Sequence, residues 1–300
     1  MNKTVPSTRL AEVRYEIRGT LARRARELES AGREILHLNI GNPGRFGFRA
    51  PAHLTTAIAE QLGHSDGYCQ EQGLEQARIA VAAQQAARGV MLADINRVFI
   101  GNGVSELIDI ALRALLEPGD EVLLPSPDYP LWSAATILNG GRPRYYRCQA
   151  THAHLPDPDE IDALVTPRTR AIVLINPNNP TGACYPRELL ERIVAVAERH
   201  GLLLLSDEIY DDIRYDGAPF TPLASLTGDL PCVTFAGLSK VHRACGFRIG
   251  WATLSGTGER VEIYRDALQL LAARRLFANV PAQWAIEPAR AGPDTITALT

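Results

Sequence analysis

The chain has 300 residues, which corresponds to about two domains, and it is 46% hydrophobic and 22% charged, as expected for a folded protein with a sizeable core. Its formal net charge of −3 argues against a general nucleic-acid binder. No apolar run is long enough to cross a bilayer, and the N-terminus lacks the apolar stretch of a signal peptide. We therefore expect a cytoplasmic protein with no membrane partner.

Residues 8–31 are rich in Arg, Glu, Ala and Leu and predict a helix that ends at Gly32. Residues 35–40 predict a short strand, and the turn residues 41–44 follow it. From residue 75 onward, helical and strand patterns alternate. The predicted helices are 75–88, 105–116 and 187–200, and the predicted strands are 97–100, 121–124, 171–175, 202–206 and 232–236.

Short, continuous apolar strands that alternate with helices predict an α/β protein with a mainly parallel sheet covered on both faces. Ligands bind at the carboxyl ends of the strands in such sheets. In this chain the five strands are followed by polar, glycine-rich or aromatic segments, in the order G-N-G-V-S-E, P-S-P-D-Y-P-L-W, N-P-N-N-P-T-G, S-D-E-I-Y and G-L-S-K.

Lysine is rare in this chain, because only two of the 31 basic residues are lysines, Lys3 and Lys240. Codon bias explains most of the excess of arginine. A retained lysine can nevertheless do what arginine cannot, since it loses its proton readily enough to attack a carbonyl. Lys240 follows the last predicted strand and is therefore a candidate functional residue.

Each strand-end motif also has an ordinary structural explanation. Gly101–Ser105 leads into a helix and could hold a phosphate or be a simple turn, and it fails the dinucleotide pattern at Glu106. Asp207 could cap a helix, form a salt bridge or pair with a protonated ring nitrogen. Arg248 could clamp a phosphate or form a structural ion pair.

The other motifs are equally ambiguous by themselves. Asn179 could have no role beyond shaping the proline-rich turn in which it lies. Tyr129 and Trp132 could be core residues rather than side chains that stack on a ligand ring. His152 and His154 lie in a loop without helical register, and we predict no metal site there. The five cysteines are scattered singly, so we expect neither a disulfide framework nor a zinc site.

Together these motifs resemble the class I/II aminotransferases of the pyridoxal-phosphate fold type I superfamily, from about residue 35 to the end. The stretches L-N-I-G-N-P, G-N-G-V-S-E-L-I, P-D-Y-P-L-W, I-N-P-N-N-P-T-G, D-E-I-Y-D and G-L-S-K…G-F-R-I-G-W look particularly like bacterial glutamate–pyruvate (alanine) aminotransferases. The resemblance implies a three-layer αβα fold, pyridoxal 5′-phosphate as cofactor, and amino-acid and 2-oxo-acid substrates.

The resemblance also implies residue roles. Lys240 would attach to the cofactor and move the proton between Cα and C4′, and Asp207 would pair with the ring nitrogen. Asn179 and Tyr210 would hydrogen-bond the phenolic oxygen of the ring. Tyr129 would stack on the ring. The cofactor would also be bound, around its phosphate, by Gly103, Val104, Ser105, Ser239 and Arg248. Tyr68 would reach the phosphate of the partner subunit in a homodimer, and Gly41, with Asn179, would lie beside the substrate.

The sequence departs from the family pattern at two places. Gly237 stands three residues before Lys240, where the family often has serine. Family members also continue on the order of a hundred residues further, with most of a small domain and an arginine for the substrate carboxylate. We therefore expect residues 1–44 to belong to the small domain, 45–285 to form the cofactor domain, and 286–300 to begin a truncated small domain.

Three functions remain open at this stage. The first is an aminotransferase that uses alanine or glutamate with 2-oxoglutarate or pyruvate. The second is a pyridoxal-phosphate lyase or decarboxylase on the same fold, since one cofactor supports several chemistries. The third is a truncated chain that binds the cofactor without turnover.

Overall fold

The structure, a computed structural model, describes residues 4–15, 19–37 and 40–300. At its centre is one seven-stranded sheet. Its strands are β1 (Val98–Gly101), β2 (Glu121–Ser126), β3 (Arg142–Arg147), β4 (Thr169–Ile175), β5 (Leu203–Asp207), β6 (Cys232–Gly237) and β7 (Gly250–Ser255). They lie in the order β1-β7-β6-β5-β4-β2-β3.

Strands β2 to β6 pair with one another in parallel, whereas β7 runs antiparallel to both of its neighbours, β1 and β6. A parallel pair needs a crossover connection, and in this chain helices supply most of these connections. The predicted mainly parallel α/β sheet is therefore confirmed, with one antiparallel strand inserted near its edge.

The helices flank the sheet and join its strands. They are α1 (Thr20–Ser30), α2 (Ala52–Glu60), α3 (Glu75–Ala87), α4 (Val104–Leu115), α5 (Pro130–Leu138), α6 (Pro158–Leu164), α7 (Arg187–His200), α8 (Glu259–Arg274), α9 (Val280–Gln283) and α10 (Ile286–Ala291). Within the described ranges, no helix combines the length and the apolar character that crossing a bilayer requires.

The alternation of side chains along β4 shows how the layers form. Val173 and Ile175 pack into a core with residues of α4, α5 and α8, whereas Ile172 and Leu174 pack into a second core with residues of α6 and α7. Successive strand residues point to opposite faces, so a continuous apolar run buries both faces. Each fully buried side chain of this size contributes roughly 1.5–3 kcal/mol of transfer free energy.

The strands and helices predicted after residue 75 are confirmed, with bounds that shift by one or two residues. The single helix predicted over 8–31 is wrong. Thr8–Ala11 form a 3-10 helix, residues 16–18 lie outside the described residues, and α1 begins after Gly19. Glycine is unfavourable inside a helix, and Gly19 has non-helical dihedral angles.

The strand predicted over residues 35–40 is not observed at 35–37, which have no regular secondary structure, and residues 38 and 39 lie outside the described residues. The sequence analysis also missed β3 and β7. In β7 the small polar side chains Thr253 and Ser255 are almost fully buried, so its sequence lacks the apolar run that revealed the neighbouring strands.

Candidate active site

A cavity of about 120 Å³ lies at the sheet edge where the carboxyl ends of β4, β5 and β6 meet. Because β7 is antiparallel, its first residues lie at this same edge. The cavity is lined by Val104, Ser105, Tyr129, Leu131, Ile175, Asn179, Asp207, Ile209, Tyr210, Ser239, Lys240, Cys245 and Arg248. The strand-end residues singled out from the sequence therefore meet in one place.

Asp207 is the last residue of β5 and is 3% exposed. Its Oδ2 accepts a hydrogen bond of 3.1 Å from the indole Nε1 of Trp132, and its Oδ1 accepts one of 3.3 Å from the backbone N–H of Ile209. Burial raises the pKa of Asp207 to about 6, although the Trp132 bond opposes the shift. Among the described residues no cationic nitrogen lies within 4.0 Å of this carboxylate, so the site suits a cationic N–H donor.

Lys240 lies just beyond β6 and is the only lysine in the part of the chain that the structure describes. Its Nζ is 5.7 Å from the centroid of the Tyr210 ring. Burial, with a smaller contribution from Asp207, raises the pKa of the Tyr210 hydroxyl to about 12. This hydroxyl therefore stays protonated at neutral pH and can donate a hydrogen bond into the cavity.

The amino end of α4 and Arg248 form a site for an anion. Gly103 precedes α4 with a φ of +86°, and an added Cβ there would overlap the Arg248 guanidinium. That guanidinium donates to the carbonyl oxygens of Asn102 and Cys245, both at 3.2 Å, and no carboxylate oxygen of the described residues lies within 4.0 Å of it. Free N–H groups and an uncompensated cation together favour a phosphate.

Two further side chains complete the walls. Tyr129 immediately precedes α5, and its pKa is raised by burial and by Tyr15, whose hydroxyl contacts it from the N-terminal segment. Asn179 lies in the turn after β4. That turn is held by the buried Asn178, whose Nδ2 donates to the Tyr185 hydroxyl at 3.2 Å and whose Oδ1 accepts from the Thr181 hydroxyl at 2.7 Å.

Comparison with known proteins identifies the family. Residues 33–296 match the family model described as "Aminotransferase class I and II". The chain is a class I and II aminotransferase. Enzymes of this family depend on pyridoxal phosphate, and the cofactor assignment follows with the family.

Named relatives agree with this assignment. The chain is 47% identical to the glutamate–pyruvate aminotransferase AlaA of Escherichia coli. The alignment spans 297 residues and covers 99% of this chain and 73% of that protein. It is 48% identical to the alanine aminotransferase of Mycobacterium bovis, over 98% of this chain and 68% of that protein. A crystal structure of an aminotransferase from E. coli superimposes with a TM-score of 0.96 at 47% identity, covering 99% of this chain and 73% of that one.

The site of this aminotransferase fits pyridoxal phosphate. A buried carboxylate without an ion-pair partner can accept the ring N–H, a cationic side chain at a helix N-terminus can hold the phosphate, and a lysine amine lines the same cavity. The ion-pair alternatives are not observed for Asp207 and Arg248, because neither forms an ion pair with another described residue. Asp207 does cap the turn that follows β5, through the bond from the Ile209 N–H.

Three predicted site residues do not line this cavity, and one of them, Gly103, adjoins it at Arg248. Tyr68 is 88% exposed, and its ring meets Phe277 edge-on at 5.5 Å beside a separate groove. Gly41 is exposed in the loop before residue 43. Their roles toward a partner subunit and toward the substrate remain predictions.

The sequence analysis missed one contact and left one departure unexplained. The hydrogen bond from Trp132 to Asp207 joins residues 75 positions apart, which local sequence patterns do not reveal. At Gly237 a Cβ would lie 2.8 Å from the Cα of Gly250. A serine there would therefore require the backbones of β6 and β7 to separate, so the glycine suits this close approach.

Proposed function

We propose that this aminotransferase transfers the amino group of alanine to 2-oxoglutarate, forming pyruvate and glutamate, and catalyses the reverse reaction. The named relatives from E. coli and M. bovis support these substrates. The observation that carries the proposal is the arrangement of Lys240 and the unpaired Asp207 in one cavity. A reactive amine beside a buried carboxylate is what proton transfer at an amino-acid Cα requires.

The cofactor, when bound, supplies an aldehyde that reacts with amines and a ring that delocalises the electron pair left at Cα. Lys240 Nζ would accept the proton from the substrate Cα and deliver it to C4′, which would make it the catalytic base. Asp207 would hold the proton on the ring nitrogen, because no cationic nitrogen of a described residue lies within 4.0 Å of its buried carboxylate.

The other wall residues bind and orient. The protonated Tyr210 hydroxyl and the Asn179 amide would donate to the phenolic oxygen of the ring, and the Tyr129 ring would pack against the ring. Around the phosphate, Arg248 supplies charge. Backbone N–H and hydroxyl groups are supplied by Gly103, Val104, Ser105 and Ser239.

We infer a homodimer in which Tyr68, whose side chain is largely exposed, reaches the phosphate in the partner subunit. Gly41 lies beside the substrate carboxylate in this assembly. A cytoplasmic location is supported by the five cysteines, all of which are free thiols.

The role of Lys240 can be tested by trapping the cofactor. Borohydride reduction of the cofactor-loaded protein is expected to attach the cofactor mass to the peptide that contains Lys240 and to leave the peptide of Lys3 unmodified. A Lys240→Ala variant is expected to lose both the adduct and turnover. An adduct on Lys3, or undiminished turnover by Lys240→Ala, would refute the assignment.

The substrate pair needs a separate assay. Coupled assays are expected to show faster pyruvate formation from alanine with 2-oxoglutarate than oxaloacetate formation from aspartate under the same conditions. Faster turnover of aspartate would overturn the proposed pair. Release of ammonia from a single amino acid, without any 2-oxo acid, would instead identify a lyase.

A further inference from the structure

A second cavity, of about 350 Å³, lies behind the segment that follows Lys240. Its walls come from α3, from the segment after Tyr210, from Val241 and His242, and from residues 289–297. It shares no lining residue with the cofactor cavity. The charged or titratable side chains that line it are Arg88, Asp212, Arg214, His242, Arg290 and Asp294.

Arg290 is a partly buried cation with little to neutralise it. Its Cζ lies 5.1 Å above the Trp251 ring, and its Nη2 lies 3.3 Å from the His242 ring nitrogens. Its Nε is buried and has no hydrogen-bond partner. No carboxylate oxygen in the described part of the chain lies within 4.0 Å, and desolvation lowers the pKa of Arg290.

His242 cannot compensate this charge. Its Nε2 lies 3.1 Å from the carbonyl oxygen of Ala289 and therefore carries the proton that this bond requires, which leaves Nδ1 to accept from Arg290. Burial first, and then the positive charge of Arg290, lower the pKa of His242 to about 4. The ring is therefore neutral at pH 7 and contributes a single acceptor.

Two of the nearby carboxylates already have cationic partners, and the third, Asp294, accepts from the backbone N–H groups of Ile296 and Thr297 and from the Thr297 hydroxyl. Arg88 pairs with Asp211 and, at 3.1 Å, with Asp212. Arg214 reaches Asp212 only at 3.9 Å and otherwise donates to the carbonyl oxygen of Ala218, while its Nε is buried without a partner. Two arginines therefore line the cavity with unused donors.

Arg78 is a buried arginine whose terminal N–H groups find their acceptors within the chain. It is 2% exposed, no carboxylate oxygen of a described residue lies within 4.0 Å of it, and its Nε, like that of Arg290, has no partner. Four oxygens nevertheless accept its terminal N–H groups. The terminal N–H groups of Arg290 have no oxygen acceptor among the described residues, only the His242 Nδ1, and Arg290 lines a cavity large enough to admit a ligand. The difference indicates that the acceptor missing at Arg290 comes from outside the chain.

We propose that this cavity binds a small oxyanion, a phosphate or a carboxylate, through Arg290 and Arg214. An oxyanion presents several acceptors to guanidinium groups. It adds negative charge beside Arg290, which has no carboxylate oxygen of a described residue within 4.0 Å, and beside Arg214, whose carboxylate partner Asp212 lies at 3.9 Å. Val241 and His242 follow Lys240 directly, so a bound anion stabilises the segment that carries the catalytic lysine. The anion site is separate from the cofactor cavity, so evidence against anion binding would not contradict the proposed reaction.

The test uses cofactor-saturated protein, so that phosphate cannot occupy the site at Arg248. Inorganic phosphate and, separately, acetate are titrated at constant ionic strength and followed by calorimetry. We expect saturable binding of at least one of them, weakened about tenfold or more in Arg290→Gln, because a charge-assisted contact is lost. Arg192→Gln removes an arginine of equal charge that pairs with Asp159 on the surface, and it should bind like the parent.

The side-chain Nε–H signal of Arg290 in a ¹⁵N spectrum of the unmodified protein gives an independent readout, assigned by its absence from Arg290→Lys. The signal should move along the same titration curve as the heat. Binding of phosphate but not acetate, or the reverse, identifies the anion. Absence of saturable binding, equal affinity in Arg290→Gln, or a stationary Arg290 signal would overturn the proposal.

Discussion

The indole N–H of Trp132 limits how far burial can raise the pKa of Asp207, because it donates to the buried carboxylate at 3.1 Å. Trp132→Phe removes this donor but keeps an aromatic ring, so the edge-on contact with Phe235 at 5.5 Å can persist. The substitution therefore tests the hydrogen bond rather than the packing.

The size of the effect follows from the loss of one hydrogen bond to a charged group. Such bonds contribute about 1.5–3 kcal/mol, and each unit of pKa corresponds to about 1.36 kcal/mol. The pKa of Asp207, about 6 in the parent, should therefore rise to roughly 7–8 in the variant. The Asp207 carboxylate must be ionised to pair with a cationic ring nitrogen. The form of the protein that binds the cofactor should therefore appear at a higher pH in the variant than in the parent.

Cofactor titrations of the apo-protein between about pH 5 and pH 9 measure this shift through the pH at which affinity changes most steeply. Trp284→Phe is the matched control, because the Trp284 indole donates to Ser65 Oγ at 3.0 Å outside the cofactor cavity. We expect the control to keep the midpoint of the parent. An unchanged midpoint in Trp132→Phe, or an equal shift in both variants, would refute the reasoning.

Unfolding of the apo-protein gives a second check on the sign. The folded-state pKa of Asp207 lies above its ordinary value of 3.8, so the folded state binds the proton more tightly than the unfolded chain. The stability contribution is full below about pH 4 and is lost as the pH rises through about 6. In Trp132→Phe this loss should extend to higher pH.

Two further substitutions test other parts of the structure. Gly103→Ala places a Cβ against the Arg248 guanidinium and should weaken cofactor binding at least about tenfold, measured by titration. Gly182→Ala is the control, because its φ is also positive but no atom lies within 4 Å of the added Cβ, and it should bind the cofactor like the parent. Arg88→Leu leaves Asp211 without its cation and Asp212 with only Arg214, at 3.9 Å, and should lower the free energy of unfolding by about 3 kcal/mol in denaturant titrations. Arg187→Leu, which removes an exposed pair within one helix, should cost less than about 0.5 kcal/mol, and equal losses in the two variants would contradict this assignment.

The sequence predicted the central strands well because they are buried on both faces. The run Ala171–Ile175 is continuous and apolar, and the ends of such strands direct attention to the residues that follow them. Asp207 and Lys240 were found in this way. The lysine was also conspicuous because arginine replaces lysine almost everywhere else.

The features that the sequence did not reveal depend on contacts between distant segments. The antiparallel direction of β7 is set by its pairing with β1 and β6, and its buried Thr253 and Ser255 hide the apolar signal. The hydrogen bond of Trp132 to Asp207 and the approach of Tyr15 to Tyr129 likewise need the folded chain. The cluster around Arg290 has no local pattern for the same reason.

Because strand β7 is antiparallel to β6, a single loop of the chain sets the length of the cavity. Lys240 and Arg248 lie on one short connection between β6 and β7, closed at its base by the bond from Leu238 N–H to the Ile249 carbonyl at 3.1 Å. A second bond, from Ala244 N–H to the Leu238 carbonyl at 3.0 Å, folds this connection back on itself. The amine of Lys240 and the guanidinium of Arg248, the proposed phosphate ligand, are therefore carried by one loop, and the conformation of that loop sets their separation.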